Sequence, residues 1–259
     1  ELAKENKQLF VMKAEAYKEM GDLQAAWAVL DEAIALYPEH SKFYMQKFYY
    51  LLEKGYYQYA LDYANQYLER QEYSAKDYLA VSFALRSNGQ YEKAALLLED
   101  AVLRHPGDDK LLELLGQVYI DQEQYLAAST VFDRASITYP RFAEKAAALY
   151  LKANQPARAL QLNRRVLNQE EKFKQRLNID IHNENYAGMV AQTEALKRYG
   201  LLKDDNILYA IGYAHFRLGD YSQARSYLKK IKDSGLFTRA ANIFKIIEKC
   251  ENEPEQCTS

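Results

Sequence analysis

The sequence predicts an all-α chain, an α-solenoid of about seven helix–turn–helix pairs closed by a C-terminal capping helix. Three observations carry that expectation. A turn motif recurs every 34 residues, as Gly21-Asp22-Leu23, Gly55-Tyr56-Tyr57, Gly89-Gln90-Tyr91 and Glu123-Gln124-Tyr125. Small residues follow each turn in register, at Ala26, Ala60, Ala94 and Ala128, and three of the four units close on Pro38, Pro106 and Pro140. Apolar/polar alternation of the strand type is absent, and a fixed period of this length marks units that bury their cores only by stacking on neighbours.

Each part of the unit has a physical reason. The glycine stands between two helices, where the chain must leave helical geometry and a side chain would be penalised. The aromatic two residues later opens the second helix and packs under the turn. Seven residues before the turn come Ala14, Ser82, Gly116, Ala147 and Gly212. Small side chains there let two helix axes approach. Phe48 stands at the equivalent place in the second unit, so that pair is expected to be splayed or rotated. Proline ends the second helix and restrains the residue before it. Ser41 after Pro38, and Asp108 or Asp109 after Pro106, are placed to cap the next helices. These residues together resemble the tetratricopeptide repeat (TPR), and the resemblance implies a right-handed superhelix that presents a groove to a partner and has no catalytic centre.

The pattern degrades in order along the chain. Asn154-Gln155-Pro156 followed by Ala159 reads as a fifth turn, 31 residues after Glu123 rather than 34. Glu184-Asn185-Tyr186 reads as a sixth, with Met189 in place of the alanine, and Gly219-Asp220-Tyr221 with Ala224 restores the motif. Leu236 to Cys250 reads as the capping helix, with a stripe of Leu236, Phe237, Ala240, Ala241, Phe244, Ile246 and Ile247. The expected organisation is one solenoid over residues 1–259. Clear repeats lie at about 7–140 and 204–234, degenerate ones at about 141–203, and the capping helix and tail at 236–259.

Bulk composition narrows the function. With 34 basic and 36 acidic residues the net charge is −2, which disfavours nucleic-acid binding, since that rests on a basic surface. No apolar run is long enough to span a membrane. The chain begins at Glu1 without an initiator Met or signal-type segment, as an excised or processed chain would. Of the 23 tyrosines, ten fall between Tyr44 and Tyr78. Those at 44, 57, 67 and 78 are expected in the packing, and Tyr49 is a candidate contact in the groove.

In this architecture the first helix of each pair lines the groove. The candidate partner-binding residues are Met45, Tyr49, Leu52, Leu79, Phe83, Arg86, Glu113, Gln117, Tyr209 and Tyr213. Aromatic anchors flanked by charge suit an extended peptide or a partner helix. The carboxylate clamp of some tetratricopeptide co-chaperones is not matched: Val11 with Glu15 and Lys76 with Ala80 occupy its places, and only Lys174 with Asn178 resembles it. No catalytic residue, cofactor site or metal site is expected. His40, His105, His182 and His215 are not at ligand spacing, and no phosphate loop or nucleophile elbow occurs. His40 and His105 are expected to be solvated beside the inter-repeat prolines. Cys250 and Cys257 could close a short disulfide loop, worth roughly 2–3 kcal/mol, or stand as two separate thiols.

The C-terminal half carries a second resemblance. Tyr150-Leu-Lys-Ala-Asn-Gln-Pro-Ala-Arg-Ala-Leu160, Leu167-Asn-Gln-Glu-Glu-Lys-Phe-Lys-Gln-Arg-Leu177, Gly200-Leu-Leu-Lys-Asp-Asp205 and the closing cysteines resemble the periplasmic tetratricopeptide proteins that accompany TonB–ExbB–ExbD systems of gamma-proteobacteria. The resemblance implies a periplasmic accessory of TonB-dependent transport whose partners are components of that system. The alternatives are a self-associating scaffold, an adaptor of another cell-envelope machine, and a cytoplasmic location.

Overall fold

The computed structural model describes residues 2–253, and among them every regular element is helical. Seven helix pairs follow one another. They are α1 (Leu2–Glu19) with α2 (Leu23–Leu36), α3 (Ser41–Glu53) with α4 (Tyr57–Arg70), α5 (Ala75–Ser87) with α6 (Tyr91–Arg104), and α7 (Asp109–Asp121) with α8 (Tyr125–Thr138). Then come α9 (Phe142–Lys152) with α10 (Pro156–Asn163), α11 (Gln169–His182) with α12 (Tyr186–Ala191) and α13 (Thr193–Arg198), and α14 (Asp205–Arg217) with α15 (Tyr221–Leu228). The last helix is α16 (Ser234–Asn252). The chain forms two compact units, residues 1–131 and 132–259, with the boundary inside α8.

The turns are built alike whether or not they carry glycine. Gly21, Gly55, Gly89 and Gly219 hold φ between 72° and 81°, and Glu123, Asn154 and Glu184 take the same left-handed position at 59°, 55° and 52°. A further pair, Glu72 and Tyr73, lies left-handed at 51° and 55° where the other early units have proline. Left-handed backbone costs a side-chain-bearing residue about 1 kcal/mol. The exposed Glu123→Gly is therefore expected to raise the stability of its turn by about 0.5–1 kcal/mol, read as a higher urea midpoint with an unchanged slope.

Caps secure several helix starts. Asp22 accepts from the Ala25 N–H at 3.0 Å, and Asp108 accepts from Lys110 and Leu111, both at 2.9 Å. Ser41 is not a cap: it is the first residue of α3, the cap position falls on His40, and no side-chain cap bond forms there. The second helices present buried apolar stripes, such as Ala26, Val29, Leu30 and Ala33 on α2, and Ala94, Leu98 and Ala101 on α6. That i, i+3/i+4, i+7 spacing places one face against the partner helix.

Phe48 does not need the splayed pair that the sequence suggested. It is fully buried, and the residue sixteen positions on, which is Leu30 or Leu98 in the flanking pairs, is Ala64 here. Phe48 and Ala64 share one core. The large and small members have exchanged helices, so total volume is kept. The last pair keeps the small–large order of the flanking pairs: a Cβ on Gly212 would meet Leu228 Cγ at 2.7 Å.

In the second unit the second helices shorten. α10 and α15 have 8 residues each, and the sixth second helix breaks at Gln192 into α12 and α13. The 31-residue spacing arises before α10, because α9 has 11 residues against 13 in α3, α5 and α7 and the connection at 139–141 is one residue shorter than the earlier ones. Capping helix α16 buries Ala240, Ile243, Ile247 and Cys250. This corrects the expected stripe, because Phe237 and Ile246 are about half exposed while Ile243, which the stripe omitted, is inside. Arg225 ties α15 to α16 through two hydrogen bonds of 2.6 Å to Glu251. Cys257, named above as a possible disulfide partner of Cys250, lies outside the described residues.

Candidate functional site

In the first unit, the first helices of successive pairs leave two open hollows on their surface. One, of about 550 Å³, is lined by Glu15, Lys18 and Glu19 of α1, by Lys42, Met45, Gln46, Tyr49 and Tyr50 of α3, and by Tyr67 of α4. The other, of about 480 Å³, is lined by Leu79, Ala80, Phe83 and Arg86 of α5 and by Lys110, Glu113, Leu114 and Gln117 of α7. Seven of the ten residues singled out in the sequence fall here: Met45 and Tyr49 in the first hollow, and Leu79, Phe83, Arg86, Glu113 and Gln117 in the second. Lys42, Gln46, Lys110 and Leu114 were missed. The signal for them was present, since Lys42, Met45, Gln46 and Tyr49 follow i, i+3, i+4, i+7 on one helix face and Lys110 and Leu114 repeat it 68 residues later.

Three candidates lie elsewhere. Leu52 is 2% exposed and belongs to the core with Leu51, Leu85 and Ala60, so it offers no surface to a partner. An apolar side chain in the last turn of α3 gains more by burial than by facing water. Tyr209 and Tyr213 belong to the second unit, half-buried and stacked at 6.3 Å, with the Arg217 guanidinium donating to the Tyr213 hydroxyl at 3.0 Å.

The walls of the hollows are held by polar contacts beneath them. Lys18 Nζ lies 2.6 Å from Glu53 Oε2 and 4.8 Å from the Tyr50 ring centroid. The hydrogen bond to Glu53 holds its ammonium above the ordinary lysine range, against the opposing effect of burial. Tyr67 donates to Asp77 at 2.5 Å, and burial followed by that bond pushes its phenol far up, so the ring is neutral at any physiological pH. In the second hollow Arg86 Nε reaches Asp121 Oδ2 at 2.5 Å, with Gln117 donating to Oδ1 at 3.1 Å.

The hydrogen bond from Arg86 holds the Asp121 carboxyl below the ordinary range; burial opposes it and Gln117 assists. A carboxylate depressed in the folded state adds stability that is complete above its unfolded pKa, near 4, and is lost as pH falls through the folded value. Asp121→Asn should therefore lower the melting temperature at neutral pH, and the gap to the parent should narrow as pH drops below about 4. Melting curves at a series of pH values would check this.

The tyrosine-rich stretch divides as well. Tyr44 and Tyr78 are buried, and their hydroxyls reach the Pro38 carbonyl and Asp100. Tyr49 is 42% exposed and Phe83 is 58% exposed. His105 is half-buried with Nε2 2.7 Å from the Tyr73 carbonyl, and His40 is half-buried 4.6 Å from the Phe43 ring; neither is the solvated histidine expected. Burial, and after it Lys7 and Lys42, hold the His40 imidazole below its ordinary range. Among the described residues no group of three or more His, Cys, Asp or Glu side chains could hold a metal ion, and no helix is long and apolar enough to cross a membrane.

Sequence features missed altogether lie in the second unit. Asp180, 4% exposed, accepts from Asn185 Nδ2 at 2.9 Å and Gln192 Nε2 at 2.7 Å, with Arg176 Nε at 3.5 Å. Asn185 in turn caps α12 through the Gly188 N–H at 3.1 Å. Nothing in the repeat pattern marks Asp180, because its partners come from the turn and from the helix break.

Comparison with known proteins agrees with this architecture. Tetratricopeptide-repeat models match residues 85–149, and 8–40 together with 205–233. No curated protein matches the sequence. Among solved structures, YrrB, a TPR protein with an unusual peptide-binding site, is similar at 18% identity and a TM-score of 0.54, over 69% of this chain and 97% of that one. A chain of the Naa15/Naa10 complex bound to HypK-THB is similar at 12% identity and a TM-score of 0.62, over 95% of this chain. This protein spans only 39% of that chain's length. At such identities the likeness concerns the fold alone. The helix pairs, the turn geometry and the matched segments together make this an all-α chain that carries tetratricopeptide repeats at residues 8–40, 85–149 and 205–233.

Proposed function

We propose that the protein is a non-catalytic interaction scaffold that holds an extended peptide segment of a partner along the first helices of its first unit. The observation that carries this reading is the pair of hollows lined by α1, α3, α5 and α7, with the Tyr49 and Phe83 rings left open to water. Exposed rings on helices already fixed by packing offer contact area at little cost in ordering the scaffold. That YrrB, similar in fold, is a TPR protein with an unusual peptide-binding site supports a peptide as the occupant.

The test is capture by crosslinking from the native organism, with the parent chain and a Tyr49→Ala/Phe83→Ala variant as parallel baits. Partners should be lost from the variant while its circular dichroism and melting temperature stay close to the parent's. Loss of folding would place the rings in the core, and unchanged capture would move the binding surface elsewhere.

A narrower reading makes the protein a periplasmic accessory of TonB-dependent transport. Its support is the sequence resemblance of the C-terminal half. Recovery of TonB, ExbB or ExbD with the bait would favour it; recovery of cytosolic proteins alone, or of the chain itself, would discard it in favour of a general or self-associating scaffold.

A further inference from the structure

The second unit holds a hollow of a different kind, at the broken second helix of the sixth pair. Its volume is about 330 Å³, and Phe173, Arg176, Asp180 and Gln192 line it together with Asn163 of the fifth pair. Three of these stand where the repeat elsewhere is apolar. Asp180 lies four residues before the left-handed turn residue, a place held in other pairs by Leu51, Leu85, Tyr119 and Tyr150. Gln192 lies eight residues after it, where other pairs have Val29, Leu97, Val131 and Leu162. Asn163 lies nine residues after its own turn residue, where Leu30, Leu98, Phe132 and Leu228 stand elsewhere. Asp180 is 4% exposed and Asn163 1%. Polar groups in core positions cost stability, so three that converge on one hollow mark it out as a candidate binding site.

The bonds already made define what is left for a ligand. Asn163 donates to the Lys172 carbonyl at 2.9 Å and to Gln175 Oε1 at 3.1 Å. Gln192 donates through Nε2 to Asp180 at 2.7 Å and to the Gly188 carbonyl at 3.2 Å. Both partners only accept, so the amide cannot be turned round. Its Oε1 is buried and has no hydrogen-bond partner. A ligand N–H can donate there without displacing an existing bond, and the neighbouring Asp180 carboxylate makes a cationic donor better than a neutral one. The Arg176 guanidinium approaches Asp180 only at 3.5 Å, is about a third exposed, and holds no other partner among the described residues. It keeps N–H groups for an anion. A cationic donor and an anion within so small a volume belong to one small molecule.

We propose that this hollow binds a free α-amino acid. Its ammonium donates to Gln192 Oε1 and Asp180, its carboxylate accepts from Arg176, and its side chain lies against the Phe173 ring. The site is independent of the groove in the first unit.

The experiment is a thermal-shift screen of the full chain against each of the common L-α-amino acids, followed by calorimetric affinities for those that bind. At least one should raise the melting temperature, by about 5–10 °C at a hundredfold excess over its Kd. The amide of that amino acid lacks the carboxylate and its N-acetyl derivative lacks the ammonium, and each should bind about tenfold more weakly or worse. Arg176→Gln, which keeps an N–H for Asp180, should weaken the amino acid about tenfold and no longer distinguish it from its amide. Gln192→Leu, which restores the residue of the third and fifth pairs, should abolish the shift. Should Gln192→Leu fail to fold, Arg176→Gln and the two derivatives decide the matter without it. No shift with any amino acid, or affinities indifferent to Arg176→Gln and to the loss of either ligand charge, would overturn the proposal and leave the polar cluster as packing alone.

Discussion

Phe48→Ala is expected to destabilise the first unit by about 3–5 kcal/mol, while Tyr49→Ala beside it changes stability by less than about 1 kcal/mol. The two rings are adjacent in sequence with centroids 5.1 Å apart, yet Phe48 is 0% exposed and Tyr49 is 42% exposed. Removing Phe48 leaves a cavity against Ala60 and Ala64, both fully buried small residues that cannot fill it. The exchange of volume across the pair gives the prediction a second arm. Phe48→Ala combined with Ala64→Leu restores the small–large order of the flanking pairs, Ala14 with Leu30 and Ser82 with Leu98, and should recover a large part of the loss. Urea unfolding of the parent, both single variants and the double variant would decide it. Additive losses in the double variant would show that the two positions do not share one space.

Asp180→Ala is expected to cost about 3 kcal/mol in the second unit. The carboxylate is 4% exposed and gathers donors from Asn185, Gln192 and Arg176. Without it, two part-buried amide donors and the Arg176 guanidinium lose a shared, buried acceptor, and hydrogen bonds to a charged group are worth more than neutral ones. The loss should be felt beyond the site. Asn185 is held by Asp180 and caps α12, and Gln192 sits at the break between α12 and α13 while also reaching the Gly188 carbonyl at 3.2 Å. Hydrogen exchange should therefore show faster opening of α12 and α13 in Asp180→Ala, with the first unit unchanged. Uniform acceleration along the chain would contradict a local role.

The groove residues separate what a sequence shows from what it does not. Met45, Leu79 and Glu113 recur at one place on the first helix every 34 residues, and Tyr49, Phe83 and Gln117 at a second place four residues on, so repeat register alone put them on a common face. Leu52 and Arg86 also share a register position, yet one is core and the other lines a hollow. Register gives the direction of a side chain relative to its own helix. It does not say whether that direction ends in water or in the next pair, which depends on the chemistry of the side chain and on the neighbours it meets.

The period of the turn motif, the small residues beside it and the prolines were enough by themselves to determine an all-α chain of seven helix pairs and a capping helix. Each is a local rule acting within about one repeat: a left-handed turn, a close helix approach, a helix stop. What only the tertiary structure decided are interactions between distant positions that obey no period. Ala64 makes room for Phe48, Asp180 collects donors from a turn and a helix break, and Glu123, Asn154 and Glu184 accept left-handed backbone without glycine because the packed pairs on either side hold the turn closed. Those outcomes depend on which volumes and charges meet in space, and a linear pattern carries no record of that meeting.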